Sequence, residues 1–406
     1  MTTRDSSDPP KKSRTVIRNI LLSLLVFFIF IVALEFTLRS THLFGARISW
    51  SEPDSTLGFR YVPNSKYWFY KENDHPISGR INKYGWRDRD WSREKDANTF
   101  RIAILGDSFV EAFQVEPEST FIALAQRQLY EALGPRIELM NFGRSGFTQT
   151  EELFVLENQV AAFSPDMAIV FFLPGNDIED VRRETAPTAL RPFYKVSPEG
   201  TLLLDTSFTN LPEYRKMCFI DKFKRRSALI SLLAERYNAF KMAAAAKRQF
   251  KAEGRDASRK GQIHGPLSLC TANPDTAYVQ SYQLNKILIA AMVEYCREKG
   301  IRFMLVTIDI GSYIPEVERK YESADSTFDT NFFEDDLKKY AASLNIDYVG
   351  LQGVFRQAYE NGRAPLHWTH WNYKGHRVVA GALANELKSI AADSEEHRPA
   401  GYRVKN

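Results

Sequence analysis

The sequence predicts a three-layer α/β domain built on a five-stranded parallel sheet, preceded by a single membrane-spanning helix. Two patterns carry that reading. Beyond residue 100, short apolar runs alternate with amphipathic segments of helical length. Strands alternating with helices imply a parallel sheet covered on both faces. Ahead of them, Ile20 to Leu38 reads ILLSLLVFFIFIVALEFTL, in which Ser23 is the only residue before Glu35 that is not apolar. As a helix this stretch spans about 28 Å, close to the thickness of a bilayer core.

The span follows a polar tail, Met1 to Asn19, that carries Arg4, Lys11, Lys12, Arg14 and Arg18 against Asp5 and Asp8. The basic flank predicts a cytoplasmic N-terminus. No small-x-small cleavage motif follows the long run, so it reads as an uncleaved signal anchor over 20–38 rather than a removed signal peptide. The rest of the chain is then expected outside the cytoplasm. A net charge of +4 excludes a polycation built for nucleic acid. The 44% hydrophobic content over 406 residues suffices for a substantial core.

Residues 40–99 read as a lead-in without strong periodicity, rich in aromatics and turn signals. The first buried strand is Phe100–Leu105, ending at Gly106. ESTFIALAQRQLYEALG is an amphipathic helix that Gly134 can end, and RIELMNFG is the second strand. TQTEELFVLENQVAAF is the second helix, with Thr148 and Glu151 spaced as a capping box. Met167–Asp177 holds the third strand and a glycine turn. A long interruption, about Ile178–Asp275, is too long for an ordinary connection. The pattern resumes with a helix over Tyr278–Lys299, the strand RFMLVTI, a helix over Thr330–Leu344, the strand IDYVG and a final helix. The alternating domain therefore covers about 100–392, with a tail at 393–406. Cys296 reads as a buried thiol, while Cys218 and Cys270 could pair in an oxidising compartment.

Within the interruption, residues 216–260 hold 13 Lys/Arg against 4 Asp/Glu. The stretch SALISLLAERYNAFKMAAAAKRQFKAEG reads as a helix. Such a surface is either a solvated cap or a seat for an anionic polymer or anionic lipid.

Four polar signals fall after predicted strands, where parallel sheets gather ligands. LGDSF follows the first, NFGRSG the second, PGND the third and THWNYKGH the fifth. Ser108 stands at a strand-to-helix turn as a candidate nucleophile, with His370 as the candidate general base. The backbone N–H groups of Ser108 and Gly146 and the side-chain amide of Asn176 are candidate donors to a developing oxyanion. Asp107 reads as a brace for the Ser108 turn and Asp177 as a turn residue. Trp368 and Trp371 read as core or pocket wall. His367, His370 and His376 cluster in LHWTHWNYKGH, but Asn372 reads as the helix cap, so the first two precede the helix. No acid or thiol joins them nearby, which argues against metal. His376 reads as a packing residue of the first turn. Neither a metal nor a cofactor is needed.

These blocks resemble those of the SGNH/GDSL hydrolase superfamily. GDSF places the nucleophile on Ser108, NFGRSG places an oxyanion N–H on Gly146 rather than Gly143, GND places the second donor on Asn176, and HWNYKGH places the base on His370. The resemblance implies a flavodoxin-like three-layer sandwich and a serine esterase acting on acyl esters of a carbohydrate or lipid. The lead-in LGFRYVPN…INKYGWRD also looks like membrane-anchored members associated with exopolysaccharides, some similar to O-acetyltransferases. One departure is chemical. The family's last block usually carries an acid two or three residues before its histidine, and here Trp368 and His367 hold those places. Losing the carboxylate behind a catalytic histidine costs about 10⁴ in rate. The sequence favours a Ser–His dyad oriented by a backbone carbonyl, with His367 as a possible neutral partner of His370. An acid from elsewhere in the chain, or a catalytically silent binding or assembly protein, stays open.

Overall fold

A computed structural model describes residues 11–41, 43, 47–70, 72–253 and 263–396. Residues 1–10 of the basic tail and 397–406 of the C-terminal tail lie outside the described residues. The strands are β1 (Ser51–Asp54), β2 (Gly58–Tyr61), β3 (Lys66–Phe69), β4 (Ile77–Arg80), β5 (Phe100–Gly106), β6 (Ile137–Gly143), β7 (Met167–Phe172), β8 (Phe193–Val196), β9 (Leu202–Asp205), β10 (Arg302–Thr307) and β11 (Asp347–Gly350). The α-helices are α1 (Lys11–Thr41), α2 (Ser108–Glu111), α3 (Phe121–Leu133), α4 (Gln149–Asn158), α5 (Asn176–Asp180), α6 (Pro212–Lys224), α7 (Ala228–Glu253), α8 (Thr276–Glu298), α9 (Pro315–Ala324), α10 (Phe332–Ser343), α11 (Leu351–Gly362) and α12 (Tyr373–Glu396). The chain divides into two compact units, one of residues 50–217 and 252–406 and one of residues 1–49 and 218–251.

In the larger unit five strands form a parallel sheet in the order β11-β10-β7-β5-β6. Counting only these strands along the chain, the order is 2-1-3-4-5 from the β6 edge. That is the doubly wound, flavodoxin-like arrangement. Successive side chains on a strand point to opposite faces, and β5 shows the consequence. Ile102 and Ile104 pack with Phe121 and Leu129 of α3, Phe355 of α11 and Val379 and Leu383 of α12. Ala103 and Leu105 pack the other way, with Leu153 and Leu156 of α4, Leu288 and Met292 of α8 and Leu337 of α10. Burial on both faces is why the strands read as unbroken apolar runs.

The lead-in is more ordered than its sequence suggests. It forms two antiparallel hairpins, β1–β2 and β3–β4. Tyr61, Tyr67, Ile77 and Ile81 close around Phe113, just beyond α2, and Phe69 stacks on it at 5.5 Å. The buried Arg87 ties the lead-in to the same segment, donating to Tyr67 Oη at 2.9 Å, Glu111 O at 2.9 Å and Val115 O at 2.6 Å. Asp88 accepts the Asn141 N–H of β6 at 2.7 Å. The capping box at Thr148 and Glu151 is present. Helices α9 and α11 were not expected.

In the smaller unit, Arg14–Thr41 of α1 is long and apolar enough to cross a membrane, its most apolar 18-residue stretch having a mean hydropathy of 2.7. The basic stretch supplies α7. Cys218, Cys270 and Cys296 are all free, so the pairing left open for the first two is not made. Cys270 is buried in the main core, where burial pushes its thiol up to about 12.

Candidate active site

The end of β5 sets the first component. Gly106 gives way to Asp107, which caps α2 by accepting the Phe109 N–H at 2.9 Å. Gly143, at the matching end of β6, is a packing glycine. A Cβ there would lie 2.5 Å from the Glu111 backbone nitrogen. With the turn held this tightly, Ser108 projects its hydroxyl beyond the sheet edge and donates to His370 Nε2 at 2.8 Å.

The other ring nitrogen finds an acid in the lead-in. His370 Nδ1 donates to Glu72 Oε1 at 2.8 Å, with Oε2 at 3.1 Å, and the His370 backbone N–H donates to Oε2 at 2.9 Å. One carboxylate therefore fixes both the imidazole and the backbone that carries it. Burial alone would raise the Glu72 carboxyl, but these hydrogen bonds and the His370 charge outweigh burial and hold it below its ordinary value. This corrects the expected dyad. The orienting group is a carboxylate, not a backbone carbonyl, and it is not His367. His367 faces away, with Nδ1 3.0 Å from Tyr313 Oη and Nε2 3.4 Å from Asp309 Oδ1. His376 is buried and neutral; it accepts the Phe121 N–H at 3.2 Å, and burial pushes it down to about 3. The three histidines thus have three separate sets of partners. Trp371 is fully buried in the core, while Trp368 is partly exposed.

Glu72 is itself held in a left-handed backbone conformation, φ +69°. The next residue fastens it. Asn73 Nδ2 donates to Gln114 O at 3.2 Å and to Tyr373 Oη at 2.9 Å, and the Tyr373 hydroxyl donates to Glu116 Oε2 at 2.7 Å. A lost hydrogen bond of this kind costs about 1 kcal/mol. Asn73→Ala should therefore lower kcat by roughly tenfold with little change in KM. Steady-state kinetics on the variant checks this.

Gly146 sits in a turn closed by the Phe147 N–H donating to Arg144 O at 3.0 Å. Its φ of +74° is the left-handed value that a glycine accepts without strain, and a Cβ there would meet open space. The turn is held at two further points. Ser145 N donates to Glu111 Oε2 at 3.1 Å, and Arg191 donates to Gly146 O at 2.7 Å. Asn176 opens α5, exposed, after β7. Asp177 turns inward, where its carboxylate accepts the Leu173 N–H and the Gln149 amide, each at 2.8 Å. Burial first, and then the charge of Asp107, push the Asp177 carboxyl well above the usual carboxylate range.

Glu111 is a second buried carboxyl beneath the turn. Burial pushes it up to about 7 against bonds from Ser145 and Tyr61 and the charge of Arg144. A carboxyl whose folded pKa exceeds its unfolded value favours the fold most below the unfolded pKa. That advantage is lost as pH rises through the folded one. A rise from 4.5 to about 7 corresponds to roughly 3 kcal/mol. Glu111→Gln, which has no charge to bury, should gain about that much stability relative to the parent between pH 4.5 and pH 8. Urea denaturation of both proteins across this range checks it.

No family model matches the chain, and no curated protein does. Solved structures do show likeness. An acetyl xylan esterase (AlAXEase) aligns over 71% of this chain and 100% of its own, at 14% identity and a TM-score of 0.38. LAE5, an alpha/beta hydrolase from the metagenome of Lake Arreo, Spain, aligns over 73% and 98%, at 14% identity and a TM-score of 0.39. An acetylxylan esterase from Geobacillus stearothermophilus (Axe2) aligns over 73% and 96%, at 15% identity and a TM-score of 0.36. Likeness this distant says nothing about chemistry, which the site's own atoms must carry.

Proposed function

We propose that the chain is an SGNH-type serine esterase, anchored by α1 with its catalytic domain outside the cytoplasm. The observation that carries the chemistry is the continuous hydrogen-bonded path Ser108–His370–Glu72, with both links at 2.8 Å. Ser108 Oγ attacks the carbonyl carbon of an acyl ester as its proton passes to His370 Nε2. Glu72 holds the tautomer and offsets the imidazolium charge. The oxyanion that forms is met by the Ser108 and Gly146 N–H groups and the Asn176 amide. As the intermediate collapses, the alcohol leaves with the proton from His370, and the acyl group stays on Ser108. A water or an acceptor hydroxyl then attacks this acyl-enzyme, His370 taking its proton, and Ser108 is regenerated.

Attack by water makes the chain a hydrolase. Attack by a sugar hydroxyl makes it an O-acyltransferase of a cell-envelope polysaccharide. The substrate class we infer, a carbohydrate or lipid acyl ester, rests on the motif resemblance. A catalytically silent role loses its main support, because the acid that its last block lacks is supplied by Glu72. The test uses the full chain in detergent with a serine-reactive fluorophosphonate. The parent protein is expected to label, while Ser108→Ala and His370→Ala are not. An unlabelled parent between pH 6 and 9 would sink the enzyme reading. Turnover of p-nitrophenyl acetate with and without sugar acceptors then separates hydrolysis from transfer.

A further inference from the structure

Glu35 is the one carboxylate in the apolar stretch, and its partners show where α7 begins. The first N–H groups of a helix lack intrahelical acceptors and attract a carboxylate. Glu35 accepts from Ala228 N at 2.8 Å, Leu229 N at 3.0 Å and Ser227 Oγ at 2.8 Å. Arg39 donates to Arg226 O. Leu34 and Leu38 pack on Ala228, Leu229 and Leu232. The start of α7 is thus clamped to the last turns of α1, just beyond the uninterrupted apolar run that ends at Leu34. If α1 spans a bilayer, α7 starts where the span leaves the hydrocarbon.

A second apolar stripe runs beside the face of α7 that docks on α1. At about 100° per residue, Leu233, Tyr237 and Phe240 fall within about 80° of Leu229 but on the side away from Ala228 and Leu232. They are 60%, 59% and 72% exposed. In the same unit, at the end of α6, Phe219 and Phe223 are exposed and pack edge to face at 5.3 Å. So many exposed large apolar side chains on two consecutive helices are unusual on a water-facing surface. The setting is basic. Residues 216–241 hold seven Lys/Arg (216, 222, 224, 225, 226, 236 and 241) against Asp221 and Glu235. Such a surface repels a second copy of itself and is complementary to an anionic one.

We propose that these exposed apolar residues of α6 and α7 lie on the surface of the bilayer that α1 spans. Phe219, Phe223, Leu233, Tyr237 and Phe240 enter the interface, and the surrounding lysines and arginines meet anionic headgroups. The inference rests on the reading of α1 as a membrane anchor. Its chemistry is that of an in-plane amphipathic helix, which adds a second, lipid-selective attachment to the first.

The test uses the full chain with Cys218→Ser, since Cys270 and Cys296 are buried. An environment-sensitive fluorophore is placed singly at Phe240→Cys and at Phe27→Cys, in nanodiscs of phosphatidylcholine with or without phosphatidylserine. Circular dichroism confirms that each variant keeps its helical content. With phosphatidylserine, both probes should emit blue-shifted and be quenched by spin-labelled lipids. Quenching at 240 alone should weaken in pure phosphatidylcholine and in 1 M salt, where screening shortens to about 3 Å. A quenched probe at 27 with a water-like probe at 240 would overturn the inference and leave the anchor standing. A probe at 240 that is blue-shifted but untouched by lipid quenchers would also overturn it, pointing to a second copy or another protein. No lipid quenching at 27 would remove the anchor and the inference together.

Discussion

Glu72→Gln is expected to lower kcat by roughly 10³–10⁴ while KM and the circular dichroism spectrum stay close to those of the parent. The carboxylate accepts from His370 twice, at the ring Nδ1 (2.8 Å) and at the backbone nitrogen (2.9 Å). An amide has one accepting oxygen. If that oxygen keeps the backbone N–H, the amide NH₂ faces Nδ1 and forces it to accept. The proton then sits on Nε2, which can no longer take one from Ser108. If the oxygen keeps Nδ1, the backbone donor is lost, and in either arrangement the imidazolium has no negative partner. Glu72→Asp keeps the charge but is one methylene too short to reach both donors, and it should fall between the two. Fluorophosphonate labelling should slow in the same order. A Glu72→Gln enzyme within tenfold of the parent would show that His370 works as the dyad its own sequence block suggests.

Glu72 also marks where the sequence stops being readable. The four blocks could be found because a parallel sheet gathers them. β5, β6 and β7 are buried on both faces, so each is an apolar run with a clear end, and the polar residues just beyond it share one edge. The acid obeys no such rule. It lies 298 residues before His370, on a loop between two four-residue strands. The four lead-in strands read SEPD, GFRY, KYWF and ISGR, too short to show a period and in one case interrupted by Pro53. Their order comes from aromatic packing around Phe113, which is a long-range contact. Helix α9 was missed for a related reason. It buries no residue, so no apolar stripe marks it. α11 follows β11 with no intervening loop, and the junction at Gly350 reads as the end of a strand. The sequence favours a dyad because the block around His370 holds no acid, with His367 standing where the resembling block carries one.

Asn176→Ala is expected to lower kcat by about 10²–10³ with little effect on stability, the typical loss for one oxyanion donor. The side chain is exposed at the start of α5, so its removal opens no cavity and strands no buried partner. Gly146→Ala makes an informative comparison. There the proposed donor is a backbone N–H that no substitution deletes, but an alanine must hold a φ of +74°, at a cost of about 1–2 kcal/mol. That strain is relieved by turning the peptide, so activity and thermal stability should fall together. A loss of rate alone at Asn176, and of rate with stability at Gly146, would separate a side-chain donor from a backbone one. Gly143→Ala gives the third pattern. Its Cβ would press on the Glu111 nitrogen from 2.5 Å, so stability should fall first and activity only as the Ser108 turn shifts. If Asn176→Ala turned over like the parent, the two backbone N–H groups would have to hold the oxyanion by themselves.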